Sequence, residues 1–181
     1  MPGKIMCVAA MLLALSIFTS CTKESAVTPI APAKPVPADT ITVPENKVDR
    51  AALLQLVNGL RSRGCNCGGV PMPAVGPLTW NGLLERAAYD HSKDMFLNKY
   101  FDHTGLDGST PGTRLDASGY RWNVYGENIA TGNMDEQAVV LGWLNSPKHC
   151  QNMMAAKYSE LGVGRYDKDW TMELGTRSAA Q

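Results

Sequence analysis

Net charge is the first thing this chain lacks: 17 lysines and arginines stand against 17 aspartates and glutamates, a formal balance of zero. Removing the N-terminal leader takes away only Lys4 and leaves a net charge of −1. A basic footprint for nucleic acid or for an anionic membrane surface is therefore missing. Long apolar runs are missing too. The run from Ile5 to Phe18 is broken at Ser16 and covers 14 residues, short of the roughly 20 that cross a bilayer as a helix. Histidine is scarce, so any imidazole chemistry must draw on His91, His103 and His149. No His-Glu-x-x-His helix or comparable local ligand spacing is present, and there are no internal repeats.

What the N-terminus does have is an export signal: Lys4, the short apolar run, then small or polar Thr19 and Ser20 before Cys21. Phe18-Thr19-Ser20-Cys21 resembles a bacterial lipoprotein cleavage site, at which the cysteine becomes the acylated first residue of the mature protein. The alternative is a soluble secreted protein cut near Ser20. Several acyl chains on Cys21 would anchor the protein stably, each buried methylene contributing about 0.8 kcal/mol. From Thr22 to Asn46 the chain holds five prolines and no aromatic residue, so it has too little apolar surface to order itself and favours extended polyproline II. These features divide the chain into a signal peptide (1–20), a lipidated Cys21 with a tether (21–46) and one folded domain (47–181). They expect an exported protein at the outer membrane or cell surface, partnered with a membrane through Cys21 and with no nucleic acid.

Within the domain, Leu53, Leu56, Val57 and Leu60 recur at helical spacing from about Asp49 to Arg63, with Gly64 as the stop. Thr79 reads as the cap of a second helix reaching about Asn98, with Leu78 stapled onto Leu83. Thr110 with Pro111 opens a short helix that Gly119 ends, and Asn133 with Glu136 forms a capping-box pattern before another. Ser146 with Pro147 begins a last short helix to about Met154. The period then changes to two: Leu161 and Val163 alternate with Gly162 and Gly164, and Trp170, Met172 and Leu174 alternate with Thr171 and Glu173. That is an antiparallel hairpin turning near Asp167 to Asp169, and with an extended stretch at Tyr125 to Ala130 it gives an α+β fold.

The histidines sit in three settings. His91 lies on the apolar face of the long helix and reads as a hydrogen-bonded core residue. His103 follows Tyr100, Phe101 and Asp102 in irregular chain, where scaffolds place functional groups. His149 falls in the first turn of the last short helix, whose dipole disfavours imidazolium and favours the neutral ring that binds a metal or accepts a proton. Glu127 is a lone acid among apolar and small residues and needs a partner.

These residues lie in an ordered series. His91-Ser92-Lys93-Asp94-Met95, Tyr100-Phe101-Asp102-His103-Thr104 and Asp107-Gly108-Ser109-Thr110-Pro111 come first. Gly119-Tyr120, Gly126-Glu127-Asn128-Ile129-Ala130, Trp143 to His149, Asn152-Met153, Leu161-Gly162-Val163-Gly164 and Trp170-Thr171 with Gly175 follow. Over about residues 48–177 the series resembles the CAP superfamily of cysteine-rich secretory, antigen 5 and pathogenesis-related proteins, in its bacterial form. The resemblance implies a three-layer α-β-α sandwich with a cleft lined by two histidines and two acids. It maps the first histidine to His103, the first glutamate to Glu127 and the second histidine to His149. The fourth position departs, because Ser146 stands where animal and plant members carry Glu.

Two imidazoles and one carboxylate can hold a divalent metal such as zinc, with a water in the open position activated for hydrolysis. The alternative is that His103, Glu127 and His149 hydrogen-bond one another and fix the cleft. Members of the family mostly resemble binding or signalling modules. The expectation is therefore a non-catalytic envelope module with an unidentified ligand, lipid and sterol being classes attributed to parts of the family. A metal-dependent, protease-like hydrolase at the same cleft is the alternative.

Of five cysteines, Cys7 lies in the leader and Cys21 is the acylation site, leaving Cys65, Cys67 and Cys150. A Cys-x-Cys pair is too close for an easy mutual bridge, so one of the two should join Cys150 in an exported protein. Cys67 is slightly favoured because Gly68 and Gly69 free its backbone, and Cys65 remains open. A zinc site of Cys65, Cys67, Cys150 and His149 is the rival, with a spacing that matches no common zinc signature.

Overall fold

The computed structural model describes residues 41–178; the leader, Cys21 and the tether up to residue 40 lie outside the described residues. The last residues assigned to the tether already pack on the domain. Val43 is buried, and the Asn46 amide donates to Glu85 Oε1 (2.8 Å) and to the Val163 carbonyl (2.9 Å).

Helix α1 (Arg50–Arg63) begins where Asp49 Oδ1 accepts from the Ala52 amide at 3.0 Å, and ends at Gly64. A small antiparallel hairpin follows, β1 (Cys65–Cys67) and β2 (Val70–Met72), turned by Gly68 and Gly69 at φ 61° and 95°. Alternation over three residues is too short to announce it in the sequence. Next come β3 (Thr79–Trp80) and α2 (Gly82–Asn98). Here the expected cap is displaced. Thr79 pairs with Glu160 as a strand, and Asn81 caps instead, its Oδ1 accepting from the amides of Leu83 (2.9 Å) and Leu84 (3.2 Å). Leu78 accordingly packs in the core under α1, not as a staple on Leu83.

Helix α3 (Pro111–Ser118) has the expected Thr110 cap and a left-handed Gly119 at its end. After β4 (Trp122–Thr131) comes α4 (Glu136–Asn145), capped by Asp135 rather than Asn133 because Asp135 Oδ1 reaches the Ala138 amide at 2.8 Å. Glu136 turns away from its own helix and accepts from the Asp49 amide at 2.8 Å, tying the starts of α1 and α4 together. Ser146 holds the cap position of α5 (Pro147–Met153) without a side-chain cap bond. The chain closes with the hairpin β5 (Glu160–Tyr166) and β6 (Asp169–Arg177).

The main sheet runs β3-β5-β6-β4, with β3 parallel to β5 and the other pairs antiparallel. Its period of two sends Leu161, Val163, Trp170, Met172 and Leu174 to one face, against Leu53 and Val57 of α1, Val139 and Trp143 of α4 and Met153 of α5. Gly162 and Gly164 point to the other face, where α2 presses so close that a Cβ at either would overlap backbone atoms of Leu84 and Glu85 or of Ala88 and Tyr89. Layers of helix therefore cover both faces, and the α+β sandwich expected from the sequence is the observed architecture.

Two devices lock the loops. The buried Arg61 guanidinium donates to four carbonyls, those of Gly76 (2.7 Å), Met153 (2.7 Å), Ala155 (3.1 Å) and Tyr158 (3.2 Å). Cys67 and Cys150 form a disulfide with Cα atoms 5.4 Å apart, pinning β1 to α5, and among the described residues Cys65 is the free thiol. That bond takes up two of the sulfurs that the rival zinc grouping with His149 requires.

Candidate functional site

Edge strand β4 carries the centre of the site. Glu127 sits directly opposite Glu173 of β6, so both carboxyls project from the face that α2 covers. Their neighbours Asn128 and Met172 point the other way, toward α5.

Three elements converge on Glu127. The segment after α2 brings His103, whose Nδ1 lies 2.5 Å from Glu127 Oε1. Helix α3 brings Arg114, whose Nη2 donates to Glu127 Oε2 (2.6 Å) and to the His103 carbonyl (3.0 Å), while its Nη1 donates to the Ser109 carbonyl (3.2 Å). Helix α2 brings His91, fully buried, with Nε2 3.0 Å from the Asp102 carbonyl and 4.0 Å from Glu127 Oε2. A carbonyl partner requires a donor, so Nε2 of His91 carries the proton and holds the peptide just before His103. His91 is thus the core histidine the sequence expects, and it also positions the loop.

Helix α5 approaches from the opposite side of β4. The Asn128 amide donates to the His149 carbonyl (3.1 Å), and the Asn152 amide donates to the Glu127 carbonyl (3.1 Å) and to Asn128 Oδ1 (3.0 Å). His149 is half-buried, and its pKa is lowered by burial and by the charge of His103, so the two rings sense each other across the site. Ser146 is partly buried at the start of the same helix.

Protonation follows from these contacts. The hydrogen bond to Glu127 raises the His103 pKa and favours its imidazolium. Burial pushes the Glu127 carboxyl up, but the hydrogen bond from His103 and the Arg114 charge outweigh it and hold Glu127 ionised. Glu173, with no exposed surface, is driven well above the carboxylate range by burial and then by the Glu127 charge, so it keeps its proton. Burial lowers His91 toward the neutral ring.

The cysteine-rich secretory protein (CAP) family matches residues 54–172. The chain belongs to this family. An extracellular protein containing an SCP domain from Bacillus anthracis superposes with a TM-score of 0.62 at 34% identity, over 71% of this chain and 40% of that one. An outer surface protein of Borrelia burgdorferi shares the fold at a TM-score of 0.57 and 21% identity, over 72% of this chain and 97% of that one. Among curated proteins, the Bacillus subtilis membrane protein YlbC is 36% identical over 97 residues, 54% of this chain and 28% of its own length. YkwD of the same organism is 31% identical over 100 residues, 54% of this chain and 39% of its own. The chain therefore spans well under half the length of the curated relatives it matches.

His103 is in direct contact with Glu127 of β4, and the His149 backbone carbonyl is bonded to the neighbouring Asn128. As they stand, His103, Glu127 and His149 do not make a cage for a divalent metal. Among the described residues, the group of three ligand-type side chains whose atoms lie within 4.8 Å of one another is Cys65, Cys67 and Cys150. Glu127 has both oxygens engaged, one of them by a guanidinium that would oppose a cation. Two surface hollows, of about 570 and 640 Å³, lie elsewhere, between α1 and α4 and beside Phe96 and Tyr100.

Sequence reasoning missed Arg114, Glu173 and Asn152. Alternation in β6 places Glu173 opposite in sense to Met172, but not that α2 seals that face. For Arg114 the available signal is its position on the short helix opened by Thr110 and Pro111, which shows the helix and not what the side chain meets.

Proposed function

We propose that this CAP domain is a non-catalytic ligand-binding module of the cell envelope, exported by its leader and tethered to a membrane through acyl chains on Cys21. The observation that carries the reading is the state of Glu127. Its carboxylate is side-chain buried to 2% exposure and saturated by His103 and Arg114, so it serves neither as a free base nor as a metal ligand. What solvent meets is the half-exposed His103 ring, held by the carboxylate through Nδ1, with the Arg114 guanidinium behind it. A fixed imidazolium beside a guanidinium suits a hydrogen-bond-accepting or anionic group of a ligand. The His149 ring, held toward its neutral form by burial and by the His103 charge, supplies an acceptor. Export and an extracellular setting draw support from the Bacillus anthracis relative, which is itself described as extracellular.

The rival is a metal-dependent hydrolase at the same cleft, favoured by the mutual reach of His103 and His149. Calorimetric zinc titration of the purified protein separates the two. No binding heat is the expected result. One-to-one binding that is lost in His103→Ala would overturn the proposal in favour of the hydrolase.

A further inference from the structure

A second cluster of reactive groups, which the candidate site does not use, lies where β1 packs on α5. Cys67 and Cys150 are bonded and fully buried. Cys65, on the same face of β1 as Cys67, places its Sγ 3.8 Å from Cys67 Sγ and 3.7 Å from Cys150 Sγ. Nearly equal distances put the free thiol broadside to the bond and in van der Waals contact with both sulfurs. Exchange requires attack along the line of the bond that breaks, so the Cys65 side chain has to swing, but it has no distance to travel. The strand that carries it is three residues long, bounded by Gly64 at φ 72° and by Gly68 and Gly69 at φ 61° and 95°, where the backbone turns most freely.

We infer that Cys65, Cys67 and Cys150 form an internal thiol–disulfide relay, in which the bond to Cys150 passes between Cys67 and Cys65. Cys65 gives up its proton and its thiolate attacks Cys150 Sγ. The Cys65–Cys150 bond forms as the Cys67–Cys150 bond breaks, and the electron pair leaves on Cys67, which takes up a proton. No oxidant or reductant is consumed. Loop closure does not choose between the bonds, because the sequence separations are 83 and 85. The two forms differ in accessibility. In the observed form the thiol is the partly exposed Cys65, and in the exchanged form it is Cys67, in a position without solvent contact. The relay therefore determines whether an outside thiol reagent meets a reachable sulfur. Burial holds the Cys65 thiol in its protonated form, so exchange quickens as pH rises.

The test uses the full chain, equilibrated under native conditions at about pH 8, near a free thiol's own pKa, beside a sample held at about pH 5. After acid quenching, the free thiols are alkylated in denaturant, the protein is digested without reduction, and the peptide holding Cys65 and Cys67 is read. Fragment ions on either side of Asn66 show which cysteine carries the label. The label is expected on Cys65 in the acid-held sample. After equilibration about a twentieth or more should sit on Cys67, the share for two bonds within about 1.8 kcal/mol of each other. A label that stays wholly on Cys65 overturns the relay. In Cys67→Ser, a Cys65–Cys150 linkage is expected, and a folded variant with both of those thiols alkylated overturns it as well.

Discussion

Glu127 and Glu173 face each other across the β4–β6 ladder, two carboxyls side by side on a covered face of the sheet. Like charges directly opposite one another on a sheet repel, and burial magnifies the repulsion. The protein resolves the conflict by giving the acids different states. Glu127 stays ionised because His103 and Arg114 take its two oxygens. Glu173 has no cationic partner of its own, neither of its buried oxygens has a hydrogen-bond partner, and it stays neutral.

That asymmetry has a pH signature. The folded-state pKa of Glu173 is raised above its ordinary value of 4.5, so the stability gained from holding the proton is complete below 4.5 and is lost as pH rises toward the folded value. Glu173→Gln keeps a donor and cannot ionise. Relative to wild type it should gain stability with rising pH, at up to about 1.4 kcal/mol per unit, until the wild-type group titrates. Urea unfolding of both proteins across a pH series measures this, and a difference that does not vary with pH would count against a neutral Glu173.

His103 carries a dependence of the same sign at higher pH, through its partner. Its folded pKa is raised above 6.5, so its contribution is complete below 6.5, where Glu127 is still ionised, and is lost as pH rises through the folded value. The stability penalty of His103→Ala should therefore shrink steadily on the alkaline side. A ring-proton titration followed by NMR should place the wild-type His103 midpoint above 6.5 and move it downward in Glu127→Gln.

Arg114 is the group that makes the buried anion tolerable. Replacing it with Met leaves Glu127 without its guanidinium, and the loss should be about 3 to 5 kcal/mol, as for other buried pairs broken on one side. Adding Glu127→Gln to Arg114→Met should recover part of that loss. A double-mutant cycle in denaturant gives the coupling directly.

Glycine tolerance should split by position. Gly164→Ala drives a Cβ into the α2 backbone at Ala88 and Tyr89 and should cost about 3 kcal/mol or more. Gly142→Ala, on an exposed turn of α4 with open space around it, should stabilise by about 0.5 to 1 kcal/mol. Thermal melts of the two variants should move in opposite directions.

Several elements were legible because their signals are local. Asp49 and Gly64 bound α1, Thr110 with Pro111 opens α3, and the Leu-Gly-Val-Gly and Trp-Thr-Met-Glu runs alternate as strands. The helix starts were misread where two polar residues compete. Thr79 yields to Asn81 because the Thr79 backbone is committed to β5, and Asn133 yields to Asp135, which is nearer the first free amides. Both outcomes depend on contacts made by other parts of the chain. Of the candidate site, His103, Glu127 and His149 are named by a family pattern, and Cys67 as the partner of Cys150 is favoured by its neighbouring glycines and observed.

The order of helices and strands, the scarcity of imidazoles and the three cysteines of the domain are properties of the chain by itself, since each rests on residues a few positions apart. What surrounds Glu127 was decided only on folding. Arg114 reaches it through the packing of α3, Glu173 through the register of β4 on β6, and Asn152 through the clamp of α5. Side chains brought together from 13 to 46 positions apart leave no periodicity to read, because their meeting depends on how whole layers stack.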